Sequence, residues 1–196
     1  MGGDRLAKVI DATYACLALH GVRRTTMDDI AQAAGMSRSA VYQYVRNKDD
    51  AFRKLAERLH AQALSRARDA ACSGAPPTDR VRGVLAAKLE LVRQLAGDSP
   101  HAAELLDQKA RLFGDICSRF VVDLKALLAG VFAEAGVVTV TPADAAEICI
   151  ALVMGLEDAP DGVRLLQPAA DALINGLLDI PARQPNHESS NRHRRN

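Results

Sequence analysis

Between Gly35 and Asp50 the chain reads GMSRSAVYQYVRNKDD, and this stretch holds side chains suited to a particular chemistry. Arg and Gln, here Arg38 and Gln43, are the residue types whose paired polar groups match the guanine and adenine edges of a duplex major groove. Tyr42 and Tyr44 are two apart, so on a helix they point in different directions and cannot both serve one core. Thr26 and Lys48 stand at two expected helix N-termini, where unpaired amides and the helix dipole favour a phosphate. Other reactive residues are less organised. Cys16, Cys72, Cys117 and Cys149 stand singly, with no CxxC and no zinc-ligand spacing, and each falls in an apolar helical pattern where a thiol acts as a small hydrophobe. His101 and Glu104 at i and i+3, with Asp107 a turn on, offer a metal-binding face or merely a solvated one. No GxSxG, HExxH, Walker A or GxGxxG pattern occurs, which argues against a helical enzyme; no metal and no cofactor is expected.

The elements that must position these residues are legible from period and punctuation. Leu6, Val9, Ile10, Thr13, Tyr14 and Leu17 recur at helical spacing and end at Gly21. Thr26 with Asp29 forms a capping box that opens the helix MDDIAQAA, closed by Gly35, with Asp28 and Asp29 serving the helix start. Ser37 caps a third helix, RSAVYQY, and Asn47 caps a long fourth, residues 48–72. The second and third helices joined at GMS have the form of a helix-turn-helix, with Ile30, Ala31, Ala34 and Val41 where two steeply crossing helices need apolar or small side chains. After SGAPP, Thr78 is expected to cap a helix from Asp79 to Ala96. A helical stretch from His101 to about Ala135 divides near Gly114, another helix starts at Thr141-Pro142, and a last one covers about Val163 to Leu178. The polar, basic residues 182–196 are expected to be disordered.

Alanine and leucine are abundant, aromatics are 4% and Trp is absent, a composition suited to helices packed through aliphatic side chains. The expected class is all-α with about nine helices. The net charge of +1 hides an asymmetry: residues 1–75 carry 12 Lys and Arg against 8 Asp and Glu, while residues 76–186 carry 10 against 15. A basic front beside an acidic remainder suits a polyanion partner at one end. No signal peptide or membrane-length apolar run is read, so a soluble, cytoplasmic protein without membrane contact is expected.

Residues 5 to 55, in the order helix, Gly, Thr, IA..AG.S, Tyr, then Lys and an acidic pair, resemble the N-terminal domain of the TetR family of transcriptional regulators. Val45, Tyr44 and Leu17 depart from the residues usual in that family. The resemblance implies that Arg38, Ser39, Ala40 and Gln43 face base edges. It also implies that Tyr42 touches phosphate; Thr26 and Lys48, at their helix N-termini, and Ser37 are further phosphate contacts, and Tyr44 either does similar work or leans on Lys48. It implies a DNA-binding part at residues 1–50 and an effector-binding and dimerisation part at 51–181. Within the latter the two C-terminal helices would pair with those of a second copy through Ile148, Leu152, Gly155, Leu166, Leu173, Ile174 and Leu177. Leu89, Arg93, Phe113, Cys117, Phe120 and Met154 are candidates to line a chamber for an unidentified small-molecule effector that releases DNA. The implied function is a homodimeric repressor on a palindromic double-stranded DNA operator. A redox- or metal-responsive DNA-binding sensor using a lone Cys or the His101/Glu104 face is the alternative.

Overall fold

The computed structural model describes residues 2–96, 101–137, 140–157, 159 and 162–178, with backbone alone at 95, 96, 102–110, 157, 163 and 166. The expected tail at 182–196 lies outside the described residues, as does the side chain of Leu166. Among them every regular element is an α-helix: α1 Gly2–Arg24, α2 Met27–Ala34, α3 Arg38–Val41, α4 Lys48–Ala71, α5 Pro77–Ala96, α6 Ala102–Ala135, α7 Pro142–Glu157 and α8 Gly162–Leu177. None is long and apolar enough to cross a membrane. The count is one short of the expected nine because α6 runs on across a break. Phe113 has φ −153° and ψ 26°, one residue before the Gly114 that the sequence marks as a divider.

Local chemistry accounts for most boundaries. Gly21, at φ 75°, interrupts α1 where the apolar period ends, and the Thr25 hydroxyl then bonds the Gly21 carbonyl at 2.6 Å. Gly136, left-handed at φ 70°, closes α6. The Thr141 hydroxyl accepts the Asp144 amide at 3.1 Å and starts α7. One cap is corrected: Thr78 does not cap α5. The helix begins at Pro77, and the Pro76 carbonyl takes the Asp79 and Arg80 amides at 2.9 and 3.1 Å. A proline at the first helical position sacrifices no hydrogen bond, so it displaces the hydroxyl cap. Pro168 inside α8 removes one backbone donor from that helix, a feature the apolar period does not reveal.

Two cores divide the side chains. The smaller gathers Val9, Ala12 and Cys16 of α1 with Met27, Ile30, Ala31, Val41, Val45 and Ala51. The larger begins on the other face of the same helix, with Ile10, Leu17 and Val22, and continues through Phe52 and Leu55 into α5 to α8. Helix α1 is therefore covered on both sides, and the adjacent residues Ala51 and Phe52 do the same for α4.

Helix α4 packs against α1, α5 and α6 and forms the spine of the molecule. Its alanines Ala63 and Ala67 are fully covered, and α5 lies so close that a Cβ on Gly83 would stand 2.7 Å from that of Ala70. Glycine to alanine inside a helix ordinarily gains up to about 1 kcal/mol. Here overpacking reverses the sign, and Gly83→Ala is expected to cost about 1–3 kcal/mol in urea unfolding. Adding Ala70→Gly should recover much of it; a Gly83→Ala chain as stable as the parent would mean that the two helices part freely.

Candidate nucleic-acid interface

Helices α2 and α3 meet at Gly35, which is left-handed at φ 63° and lets Met36 bond back to the Ala31 carbonyl at 3.0 Å. Only glycine adopts that conformation without strain, so the turn is tight and the α2–α3 crossing is fixed. Val41 and Ile30, both 0% exposed, lock the pair from beneath.

Helix α3 is shorter than expected. Regular α-helix ends at Val41, and the chain tightens through Gln43 and Tyr44, whose amides bond the Ala40 and Val41 carbonyls at 3.3 and 2.9 Å. These i→i+3 bonds turn the last residues about the axis more steeply than an α-helix would. Arg38, Ser39, Tyr42 and Gln43 are exposed, with Ala40 half-buried between them. Tyr44 is half-buried and, like Ala34 and Met36, packs against the small core. Its ring thus belongs to the packing of the motif, while Tyr42 is 42% exposed.

The N-termini of α2, α3 and α4 each carry a side-chain cap. The Thr26 hydroxyl accepts the Asp29 amide at 3.2 Å, and the Asp29 carboxylate takes the Thr26 amide at 2.8 Å and its hydroxyl at 2.7 Å, so the capping box is complete. Hydrogen bonds from the Thr26 hydroxyl and then its amide hold the Asp29 carboxyl below the usual carboxylate range. Ser37 Oγ accepts the Ala40 amide at 3.2 Å and lies 3.1 Å from Ser39 Oγ. Asn47 Oδ1 accepts the Asp50 amide at 2.9 Å. The Lys48 ammonium donates to the Arg23 carbonyl at 3.0 Å, which ties α4 to the end of α1 while leaving further N–H groups for an anion.

Ion pairs fasten this front to the body. Arg53 forks onto Asp115 at 2.8 and 2.5 Å and reaches the Leu112 carbonyl at 3.3 Å, and Arg111 meets Asp49 at 3.0 Å. Both pairs flank the Phe113 break, so α6 is held at its kink to the first two turns of α4. The Arg53 guanidinium draws the Asp115 carboxyl down to about 2.

The candidate chamber residues divide. Phe113 and Phe120 are buried and set edge-on to the His60 ring at 6.5 and 5.3 Å between centroids, and Cys117 Sγ lies 3.4 Å from His60 Nε2. Leu89 packs against the same core. Two are corrected. Arg93 is exposed and forks onto Glu90 of its own helix at 2.7 Å, and Met154 is 48% exposed on α7. The dimer candidates divide as well: Ile148 and Gly155 are exposed and Leu152 and Leu173 half-buried, whereas Ile174 and Leu177 serve the chain's own core at 1% and 7% exposure. A helical stripe on α8 wider than one face accounts for the mixture.

The metal face is not assembled from described groups: Glu104 and Asp107 lie outside the described side chains, and His101 Nε2 faces Arg24 Nη2 at 3.1 Å. Among the described residues no group of three or more His, Cys, Asp or Glu is placed to hold a metal. Burial raises the Cys16 thiol and pushes Cys149 up to about 12, the opposite of activation.

Sequence reading missed His60, Arg53, Asp115 and the true partner of Asp28. His60 carries a local signal, a polar ring on the apolar side of α4 between Leu59 and Ala63. The Arg53–Asp115 pair spans 62 positions and leaves none.

A capped pair of short helices crossing over its own small core, with Arg38, Ser39 and Gln43 exposed at its second helix, has the form of a helix-turn-helix motif. Residues 9–60 match the family described as bacterial regulatory proteins, tetR family. The HTH-type transcriptional regulator TtgR of Pseudomonas putida is 30% identical over 115 residues, 57% of this chain and 53% of TtgR. The match thus spans about half of that relative. A transcriptional regulator from Cytophaga hutchinsonii superposes with a TM-score of 0.72 at 17% identity, over 89% of this chain and 96% of its own. SmeT, the repressor of the Stenotrophomonas maltophilia multidrug efflux pump SmeDEF, superposes with a TM-score of 0.58 at 22% identity, over 89% and 86% of the two chains. SmeT has also been solved as a triclosan complex. At these identities the solved structures speak to the shared fold, which runs through the body as well as the front.

Proposed function

We propose that this chain is a homodimeric repressor that reads a palindromic operator with α3 of each copy and is released by a small molecule held in its body. The observation that carries the reading is the capped α2–α3 pair, with Arg38, Ser39 and Gln43 exposed to meet base edges while Tyr42, Lys48 and the helix N-termini meet phosphates. One such head contacts few base pairs, so a two-fold pair of heads is the natural unit. Support for the second copy comes from α7 and α8, where Ile148, Met154 and Leu165 are 39%, 48% and 37% exposed beside the small residues Ala151 and Gly155.

Release requires that the effector favour one of two arrangements. Phe113, Cys117, Phe120 and His60 form a candidate lining, and the Arg53–Asp115 and Arg111–Asp49 pairs link that segment to the first turns of α4. An effector that displaces the Phe113 break pulls on the helix carrying Lys48 and so changes the spacing of the heads. Triclosan bound to SmeT offers an aromatic, sparingly polar precedent for the kind of molecule such a body accepts.

Sedimentation of the chain with and without a duplex selected from a random library tests this. Two copies per duplex carrying an inverted repeat are expected. A monomer that enriches no sequence would sink the reading.

A further inference from the structure

An acidic residue in the first turn of a helix ordinarily needs no explanation beyond the helix dipole. Asp28 has a second engagement. Its Oδ2 accepts a hydrogen bond from Arg38 Nη1 at 2.8 Å, across the turn of the motif. Arg38 Nη2 reaches the Tyr42 hydroxyl oxygen at 3.4 Å, and the guanidinium carbon stands 5.8 Å from the centre of the Tyr42 ring. Asp28 of α2 and Tyr42, which caps the end of α3, thus hold the guanidinium of the first residue of α3 between them.

Stability does not account for the pair. The Arg38 and Asp28 side chains are 56% and 66% exposed, and an ion pair that open to water adds little to folding. A carboxylate on the face offered to a polyanion also lowers affinity for every duplex alike, since binding to phosphates scales with the positive charge brought to them. What offsets that loss is its effect on Arg38.

We propose that Asp28 is a positioning residue for sequence reading: it holds the Arg38 guanidinium in place to read a guanine in each half-site, raising specific over non-specific binding at the expense of general affinity. This rests on the reading-head assignment above. The donors suffice. A guanidinium has five N–H groups; Asp28 and Tyr42 take one each, three remain, and guanine O6 and N7 need two. Tyr42 accepts from Arg38, so its own proton stays available for a phosphate oxygen. The hydrogen bonds then run in one sense, from Tyr42 to phosphate and from Arg38 to Tyr42, to Asp28 and to the base. An arginine already held by two acceptors surrenders less rotamer freedom on binding, and removing one hold is expected to lower discrimination by about 3- to 10-fold.

The test uses the full chain and a duplex it selects from a random library. Affinities are measured for that duplex, for the same duplex changed at each base pair in turn, and for a scrambled one, with the parent, Asp28→Asn, Arg38→Ala and the double variant, each checked by thermal melting. Asp28→Asn is expected to lower discrimination at the base pair that Arg38→Ala also relaxes, to bind the scrambled duplex a few-fold more tightly, and to lower discrimination no further in the Arg38→Ala background. Discrimination unchanged by Asp28→Asn, or lowered equally without Arg38, overturns the proposal. So does a uniform loss of affinity with a lower melting point, the mark of a purely structural role. If the parent selects no sequence, the reading-head assignment fails and the proposal with it; if Arg38→Ala relaxes one base pair and Asp28→Asn does not, the proposal fails alone.

Discussion

Arg38→Ala combined with Gln43→Ala is expected to leave a folded protein that binds duplex DNA with most of its sequence preference gone. Each bidentate contact discriminates by about 1–3 kcal/mol, so the double change moves specific binding toward non-specific binding rather than abolishing both. Both side chains are exposed and belong to neither core, so secondary structure and melting should change little. The informative control is Lys48→Ala. Its ammonium reaches the Arg23 carbonyl and, through its remaining protons, a phosphate, so its loss should weaken all duplexes alike and reduce the salt slope by about one. Competition binding at two salt concentrations separates the patterns. An undiminished preference for the selected duplex in the double variant would remove α3 from the role of reader.

The second large effect concerns the body. Phe132→Ala is expected to cost about 3–5 kcal/mol, because the deleted ring leaves a cavity in a well-packed interior. Phe132 is 0% exposed near the end of α6, in the core that also holds Leu124, Leu128, Ala145, Cys149, Ile150 and Val153. Against a total stability of roughly 5–15 kcal/mol, such a loss would be visible in urea as a large fall in midpoint with the slope retained. Phe132→Leu, which keeps most of the volume, should lose much less. Equal losses for both variants would point to the aromatic edge, and not volume, as what that position supplies.

The front of the molecule was legible because its determinants are local. Thr26 with Asp29, Ser37, Asn47 and Gly35 each state a cap or a turn within four positions, and the structure has all of them. The body was legible only as helices. Whether Ile174 or Leu165 faces outward depends on how α8 rolls against its neighbours, and a 16-residue helix with an apolar stripe broader than one face does not encode that roll. Asp28 shows the same boundary within the motif: a helix-start role is apparent from the residue and its place, while the contact with Arg38 exists only once the Gly35 turn has closed. Tyr44 is a further case: its packing against the small core accompanies the tightening after Val41, which its place in the sequence does not reveal.

Helix α1 gives one face to each core, and this bears on how such molecules can be rebuilt. A reading head cut free near residue 50 would carry Ile10, Leu17 and Val22 into solvent as an adhesive ridge, so its fragments should self-associate however well α2 and α3 remain folded. For the same reason a head moved onto another body needs the buried back of α1 to match its new host. Two regulators of equal operator preference are therefore not interchangeable at this joint, and chimeras are better divided through the faces of α1 than at any single point along the chain.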